Sequence, residues 1–466
     1  MMTDKKKKQF VIVMSVAAVF LLFYNLASRV NSYSTTLLAF TYKYGFIPRG
    51  LLGTIYQGLN DILPFDMNVY AAVNMFALTT TCIYTIFIVW VLATMLKHIY
   101  KYQESLEDIS LNKEEMQGFN EANWNSTWGL IAFTMICAIP TFSGYYNFGR
   151  IDMFMLIMSL IAVVLLVKDK AIWIIVPLTA LGEMFHEAYV FMYFSVVLVL
   201  LLHRVITKVV EEKEENQSGD AEVKKSGLLD YIKAAFTKKS ARKYSFVFIA
   251  ALIVVSVLFL YFRFGYAYGD EEVADKIYDT AYGMTYDNYV HKDVIRAEIL
   301  GVDLTEEEMI YRAENFIEFP FFLILMSPFI GILVGFYKRI FKEVRENYEG
   351  ATRTVMRFKY LVMVIGVMTL VPLYAMKVDY GRWCFAAVMY YCISILGMMA
   401  LGDKLAIRAW RETISNLHKK CTFAPLLIGY AFMLAPFTDL SIGKFCYQLY
   451  DFPNKIMKML EIIPFD

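Results

Sequence analysis

Charge and cysteine are what this sequence has least of. Asp, Glu, Lys and Arg make up 19% of its 466 residues, and the six cysteines are scattered singly with no CxxC pair. Isolated cysteines exclude a disulfide framework, and no His stands at metal-ligand spacing, so no structural zinc, other metal or cofactor is expected. The formal net charge of +1 points to no charged partner, and nucleic acid is not expected as one. What abounds is apolar. Hydrophobic residues reach 58% and mean hydropathy is +0.47, which places the chain among polytopic membrane proteins.

Apolar runs near residues 10–28, 69–96, 126–143, 151–167, 171–185, 187–203, 244–263, 318–337, 358–376, 383–401 and 421–436 predict an all-α bundle of about eleven passes, forming a single membrane domain over 1–466. Lys5 to Lys8 precede a first apolar run that is too long for a signal-peptide core and has no convincing cleavage site, so it reads as a retained span. Basic residues set the orientation. Lys97, Lys101, Lys168, Lys170, Arg204 through Lys243, Lys338 through Lys359 and Arg408 through Lys420 fall on the side of Lys5–Lys8 if 171–203 crosses twice. That side is the cytoplasm, which puts the N-terminus inside. The inner segment 207–243 reads as a charged, solvated and partly disordered loop. Outside, 29–68 reads as a bent helix along the interface, and the Tyr-rich, acidic 264–317 as a small helical cap.

The stretch Ala171 to His203 organises the rest. It is too long for one ordinary span of roughly 20 residues and too short for two. A cramped, broken hairpin resolves both the length and the charge bias. Its turn then holds Glu183, His186 and Glu187 at or below the outer headgroups, where ionisable groups are costly and mark a functional site.

Three further motifs reach the same face under that topology: Gly45-Phe-Ile-Pro-Arg49-Gly50, Phe148-Gly149-Arg150-Ile-Asp152 and Asp379-Tyr-Gly381-Arg382-Trp383. Arginine offers a permanent charge and a two-pronged fork for phosphate oxygens, which makes Arg49, Arg150 and Arg382, with Asp379 beside the last, candidates for holding a diphosphate. Glu183, Glu187 or His186 suits general-base catalysis, and Asp152 adds a carboxylate to the catalytic candidates. The plain alternatives are helix caps, snorkelling arginines and ion pairs that brace helices. His186-Glu187 is no zinc-protease motif, because position 190 is Val. Asp61 and Asp66 flank Pro64 in the first outer segment, and Asp66 suits a helix N-cap.

With its many spans, long outer loop and arginines and acids gathered outside, the chain resembles bacterial multi-spanning enzymes of surface-polysaccharide assembly. Two families compete. Polysaccharide polymerases of the Wzy or EpsG-like kind would imply that Arg49, Arg150 and Arg382 grip the diphosphate of a polyprenyl-linked sugar without a metal. Glycosyltransferases of the GT-C type would imply an acidic base in the first outer loop, where this chain has only the separated Asp61 and Asp66. Either resemblance implies membrane lipid and a polyprenyl-diphosphate-linked sugar as partners, and contacts with other polysaccharide-assembly proteins. Two other classes stay open: a transporter or flippase, which would carry polar groups through the full depth of the bundle, and a structural or scaffold protein, whose outer motifs would be ion-paired struts.

Overall fold

The computed structural model describes residues 30–104, 149–217 and 228–420, apart from 65, 67–68, 265–269, 286, 301–305 and 377–379. The expected spans at 10–28, 126–143 and 421–436 lie outside the described residues, as does Asp379. Of the structure, 87% is helix, and among the described residues there is no strand.

The first outer segment is not one bent helix. It comprises α1 (Ser32–Leu38), a 3-10 turn at Tyr42–Tyr44 and α2 (Gly50–Ile62). The two helices approach so closely that a Cβ on Gly53 of α2 would collide with the Leu38 and Phe40 carbonyl oxygens, which explains glycine there. Asn31 caps α1 through a 2.8 Å bond from the Ser34 N–H.

Next come α3 (Tyr70–Glu104), α4 (Asp152–Lys168), a 3-10 turn at Ile172–Ile174 and α5 (Ile175–Phe185). A short α6 (Tyr189–Met192) leads into α7 (Phe194–Gln217), α8 (Leu228–Thr237) and α9 (Lys239–Phe264). The charged segment 207–243, read from the sequence as a partly disordered loop, is helical at 207–217, 228–237 and 239–243, with a bend at Lys238. Its Glu and Lys residues are good helix formers, and ion pairs such as Lys208–Glu211 at 2.7 Å lie along it. Segment 264–317 contains α10 (Glu271–Tyr282), α11 (Lys292–Ile295), a π turn at Arg296–Leu300 and the beginning of α12 (Glu306–Asn347). The remaining elements are α13 (Gly350–Ile365), a 3-10 turn at Gly366–Leu370, α14 (Val371–Met376), α15 (Tyr380–Ala400) and α16 (Lys404–Lys420).

Among the described residues, four helical stretches are long and apolar enough to cross a membrane: Tyr70–Ile99, Lys239–Phe264, Gly350–Tyr374 and Tyr380–Ala400. Helix α4, with 17 residues, and α5, with 11, are shorter, and α7 carries Arg204 and Lys208 among its apolar residues. The expected count of about eleven is therefore not established, although these apolar helices fit a membrane protein. Helix α15 sits at the centre with nearly every residue buried, and α3, α4, α7, α12 and α16 pack around it. Helix α9 instead turns Leu252, Ile253, Val257 and Leu260 outward, an apolar exterior suited to lipid.

The chain reverses between α5 and α7. The Phe154 and Phe185 rings stack at 5.1 Å, so the end of α5 lies beside the start of α4 and the two run in opposite directions. Helix α7 follows α4, because Ser159 donates to the Tyr193 carbonyl at 3.0 Å and Arg204 acts electrostatically on Asp169 just past the end of α4. Both arms of the reversal pack on α9. At about 1.5 Å per residue, the 11 residues of α5 rise only ~16 Å, roughly half of a ~30 Å hydrocarbon layer.

Candidate functional site

Helix α5 ends where His186 takes an extended conformation, with its N–H still bonded to the Gly182 carbonyl at 3.3 Å. Tyr189 folds back over Gly182, where a Cβ would come within 2.6 Å of its ring. The turn His186–Ala188 is therefore held by packing, and it presents Glu183, His186 and Glu187 from one place.

Arg49 meets this turn from α2. It adopts a left-handed conformation, with φ of 61°, just before the helix starts, a strained geometry for a residue with a side chain. Its Nε donates to Glu187 Oε2 at 3.3 Å and its Nη2 to Glu187 Oε1 at 2.8 Å, the two-pronged geometry expected of arginine on a carboxylate. The same Nη2 donates to Glu298 Oε1 at 2.7 Å. Burial opposes the charge on Arg49, but Glu187 and Glu298 outweigh it and keep the guanidinium firmly protonated.

His186 Nδ1 lies 3.1 Å from Glu187 Oε2 and 3.0 Å from the Ala188 N–H. One ring nitrogen carries either a proton or a lone pair, so only one of these is a hydrogen bond at a time. Protonated, Nδ1 donates to Glu187; deprotonated, it accepts from Ala188.

A second pair lies beside the first. Arg382, in the first turn of α15, donates to Asp152 Oδ1 at 2.7 Å, and Asp152 occupies the first turn of α4, where a helix N-terminus favours negative charge. His186 and Arg150 both act electrostatically on Asp152, which joins the two pairs into one site. Arg150 stacks its guanidinium 4.4 Å above the Tyr33 ring, and Tyr33 also acts on Arg49.

Two groups in the site are buried without hydrogen-bond partners. Glu183 is fully buried with neither carboxylate oxygen bonded, although the Val190 backbone N–H lies nearby. The Tyr193 hydroxyl is equally orphaned, within electrostatic reach of Asp152 and Arg382. Buried polar atoms are nearly always paired, so each orphan calls for an explanation, and a catalytic role is one.

The structure thus brings together Arg49, Arg150, Asp152, Glu183, His186, Glu187 and Arg382, while Asp379 lies outside the described residues. The motifs are joined to one another: Arg49 bonds Glu187 and Arg382 bonds Asp152, while Arg150 acts on Asp152 within its own Gly-Arg-x-Asp motif. The partner of Arg382 in Asp-x-Gly-Arg, Asp379, lies outside the described residues. Asp61 is exposed and 3.6 Å from Lys43, and Asp66 is exposed too, so neither joins the site. Sequence reasoning missed Glu298 and Tyr193. Glu298 has no spacing that marks it, whereas Tyr189 and Tyr193, four apart after the turn, could have been noticed as polar-tipped rings on one face. Among the described residues, no three His, Cys, Asp or Glu side chains converge as metal ligands.

A second charged network, also missed, lies past the far end of α15. Asp403 accepts from His203 Nε2 at 2.7 Å, Lys359 Nζ at 2.9 Å, the Tyr360 hydroxyl at 2.7 Å and the Ala406 N–H at 3.0 Å. Burial alone would raise the Asp403 carboxyl, but the Lys359 ammonium and His203 outweigh it and hold it well below the usual carboxylate range. Buried charge is therefore not confined to one end of the bundle.

No protein-family model, curated protein or solved structure matches the chain significantly. The class that fold and site define is an all-helical protein with membrane-length helices and a buried, charge-rich site at the tip of a short hairpin.

Proposed function

We propose that the protein transfers or polymerises sugars carried on a polyprenyl diphosphate, with its site at the outer face of the cell membrane and its N-terminus in the cytoplasm. The observation that carries this reading is the meeting of three arginines with unpartnered Glu183 and Tyr193 at the hairpin tip. A diphosphate needs fixed cations, and a sugar hydroxyl needs a proton acceptor. The site has both.

In the proposed step, an acceptor hydroxyl oxygen forms a bond to the anomeric carbon of the donor sugar. The bond from that carbon to the diphosphate oxygen breaks, and its electron pair leaves on the polyprenyl diphosphate. Arg150 and Arg382 meet the negative charge that develops there, which favours the transition state over the bound substrate. The hydroxyl proton passes to Glu183. Glu187 is less suited to accept it, because Arg49 and His186 already occupy its oxygens. Asp152, bonded to Arg382, positions that arginine rather than carrying a proton.

Glu183→Gln removes the proton acceptor and keeps an amide oxygen where the Val190 N–H approaches. General bases contribute about 10²–10⁴-fold, so product chains in membranes from producing cells should fall by at least about 100-fold while the protein stays folded. Wild-type product from this variant would overturn the reading. The network at Asp403 favours transport as the second reading, since it gives the bundle buried charge at both ends. Uptake of a polyprenyl-linked sugar by proteoliposomes, undiminished in Glu183→Gln, would select it.

A further inference from the structure

Arg49 carries more negative charge than one guanidinium balances. Glu187 takes the Nε and Nη2 prongs, and Glu298 crowds onto the same Nη2, so two carboxylates share one nitrogen at 2.8 and 2.7 Å. Like charges at such spacing disfavour each other, and the trio holds one cation against two anions.

The two carboxylates are held differently. Glu187 belongs to the hairpin turn and is fixed by Arg49 and His186 together. Glu298 belongs to the outer segment, on a π turn of five residues that follows a helix of four. Such turns are departures from regular helix that recur at functional sites. The turn is pinned at one end, where His291, just before α11, donates its N–H to Thr36 Oγ1 at 3.2 Å, and Ile295 and Ile299 are buried beneath it.

Charge across the whole site makes the same point. Arg49, Arg150 and Arg382 face Asp152, Glu187 and Glu298, and Glu183 adds a fourth carboxyl group beside them. A site with no surplus of fixed cations gains little from admitting a multiply charged anion unless a resident carboxylate leaves. The carboxylate on the five-residue turn, rather than the one the hairpin fixes, is the one placed to do so.

We infer that Glu298 is a built-in stand-in for substrate phosphate: its carboxylate occupies, on Arg49, the place that one phosphate of the ligand takes, and binding expels it. The inference rests on the phosphate-binding reading above and adds where a phosphate sits and what it displaces. The ligand class is a diphosphate rather than a neutral sugar. On the plain alternative, Glu298 is a strut that ties the outer segment to α2, and its loss weakens the fold without changing anion affinity.

The test uses the purified full chain in detergent with inorganic pyrophosphate as the probe, followed by calorimetry. Glu298→Gln preserves shape and removes the competing charge, so it should bind pyrophosphate at least about tenfold more tightly than wild type, within the usual span of intramolecular coupling. Glu272→Gln, on an exposed part of the same segment, should bind as wild type does, which separates displacement from a general change in charge. Pyrophosphate should also speed thiol labelling of an Ala297→Cys variant as the turn moves out. Equal affinity in wild type and Glu298→Gln, with both abolished by Arg382→Ala, would overturn the inference and leave the phosphate reading standing. Absence of pyrophosphate binding in wild type and Glu298→Gln alike would overturn both.

Discussion

The Arg382–Asp152 bond is where a brace and a binding group can be told apart. The pair is buried, its atoms are 2.7 Å apart, and it ties the first turn of α15 to the first turn of α4. At that distance and an effective dielectric of about 20, two unit charges attract by roughly 6 kcal/mol, much of it offset by the cost of taking both out of water. Removing one partner strands the other, which typically costs about 3–5 kcal/mol. Arg150 also acts on Asp152 and softens the loss, so Arg382→Gln should fall near the lower end, about 3 kcal/mol. Cys384 and Cys392 are buried in α15, and a thiol-reactive dye that reports their exposure on heating measures the loss. The deciding variant is the neutral pair Asp152→Asn with Arg382→Gln. It leaves no stranded charge and should recover most of the lost stability, while product stays absent because no guanidinium remains for the diphosphate. Recovery of product along with stability would make Arg382 a brace and refute the reasoning. Unfolding of Arg382→Gln at the wild-type temperature would refute the energetics.

Three more outcomes follow from other parts of the fold. Asp403→Asn should cost about 3–5 kcal/mol, because it leaves Lys359 and His203 buried without their carboxylate. The Asp403 carboxyl is depressed in the folded state, so its contribution is complete above the unfolded carboxylate value of about 3.9 and is lost as pH falls through the lower folded value. Unfolding temperatures of wild type should then be insensitive to this group from pH 5 to 8, and a contribution that rises with pH across that window would contradict the assignment. Gly53→Ala should loosen α2 from α1 at a cost of about 1–3 kcal/mol, since the obstructing atoms are backbone carbonyls that cannot rotate away. The same dye assay reads it, and an unchanged profile would mean that the two helices do not need this approach.

The parts of the fold legible in the sequence were those governed by length and local pattern. The run 171–203 is visibly the wrong length for one span or two, and this alone places Glu183, His186 and Glu187 at a turn. Apolar runs located α4 and α15 to within a few residues and found the apolar parts of α3 and α9, whose polar ends they missed, because burial and lipid contact both demand continuous hydrophobic faces. Charge patterning was less informative. The charged run after His203 looked like loop, yet α7 continues into it as far as Gln217, since Glu and Lys extend a helix readily once it has been nucleated by packing.

Which charges pair was decided by tertiary structure alone. Arg49 finds Glu187 138 residues away and Glu298 249 residues away, and Arg382 finds Asp152 across 230. No period or spacing in the chain encodes such partners. Asp403, His203 and Lys359 likewise come from three helices or helix ends that are adjacent only after packing. A sequence states where an ionisable side chain lies along a helix, and so whether it sits near an end or a turn. Its partner depends on how the helices are arranged around α15, and that arrangement is set by the fit of apolar surfaces, which hold no record of the charges they bring together.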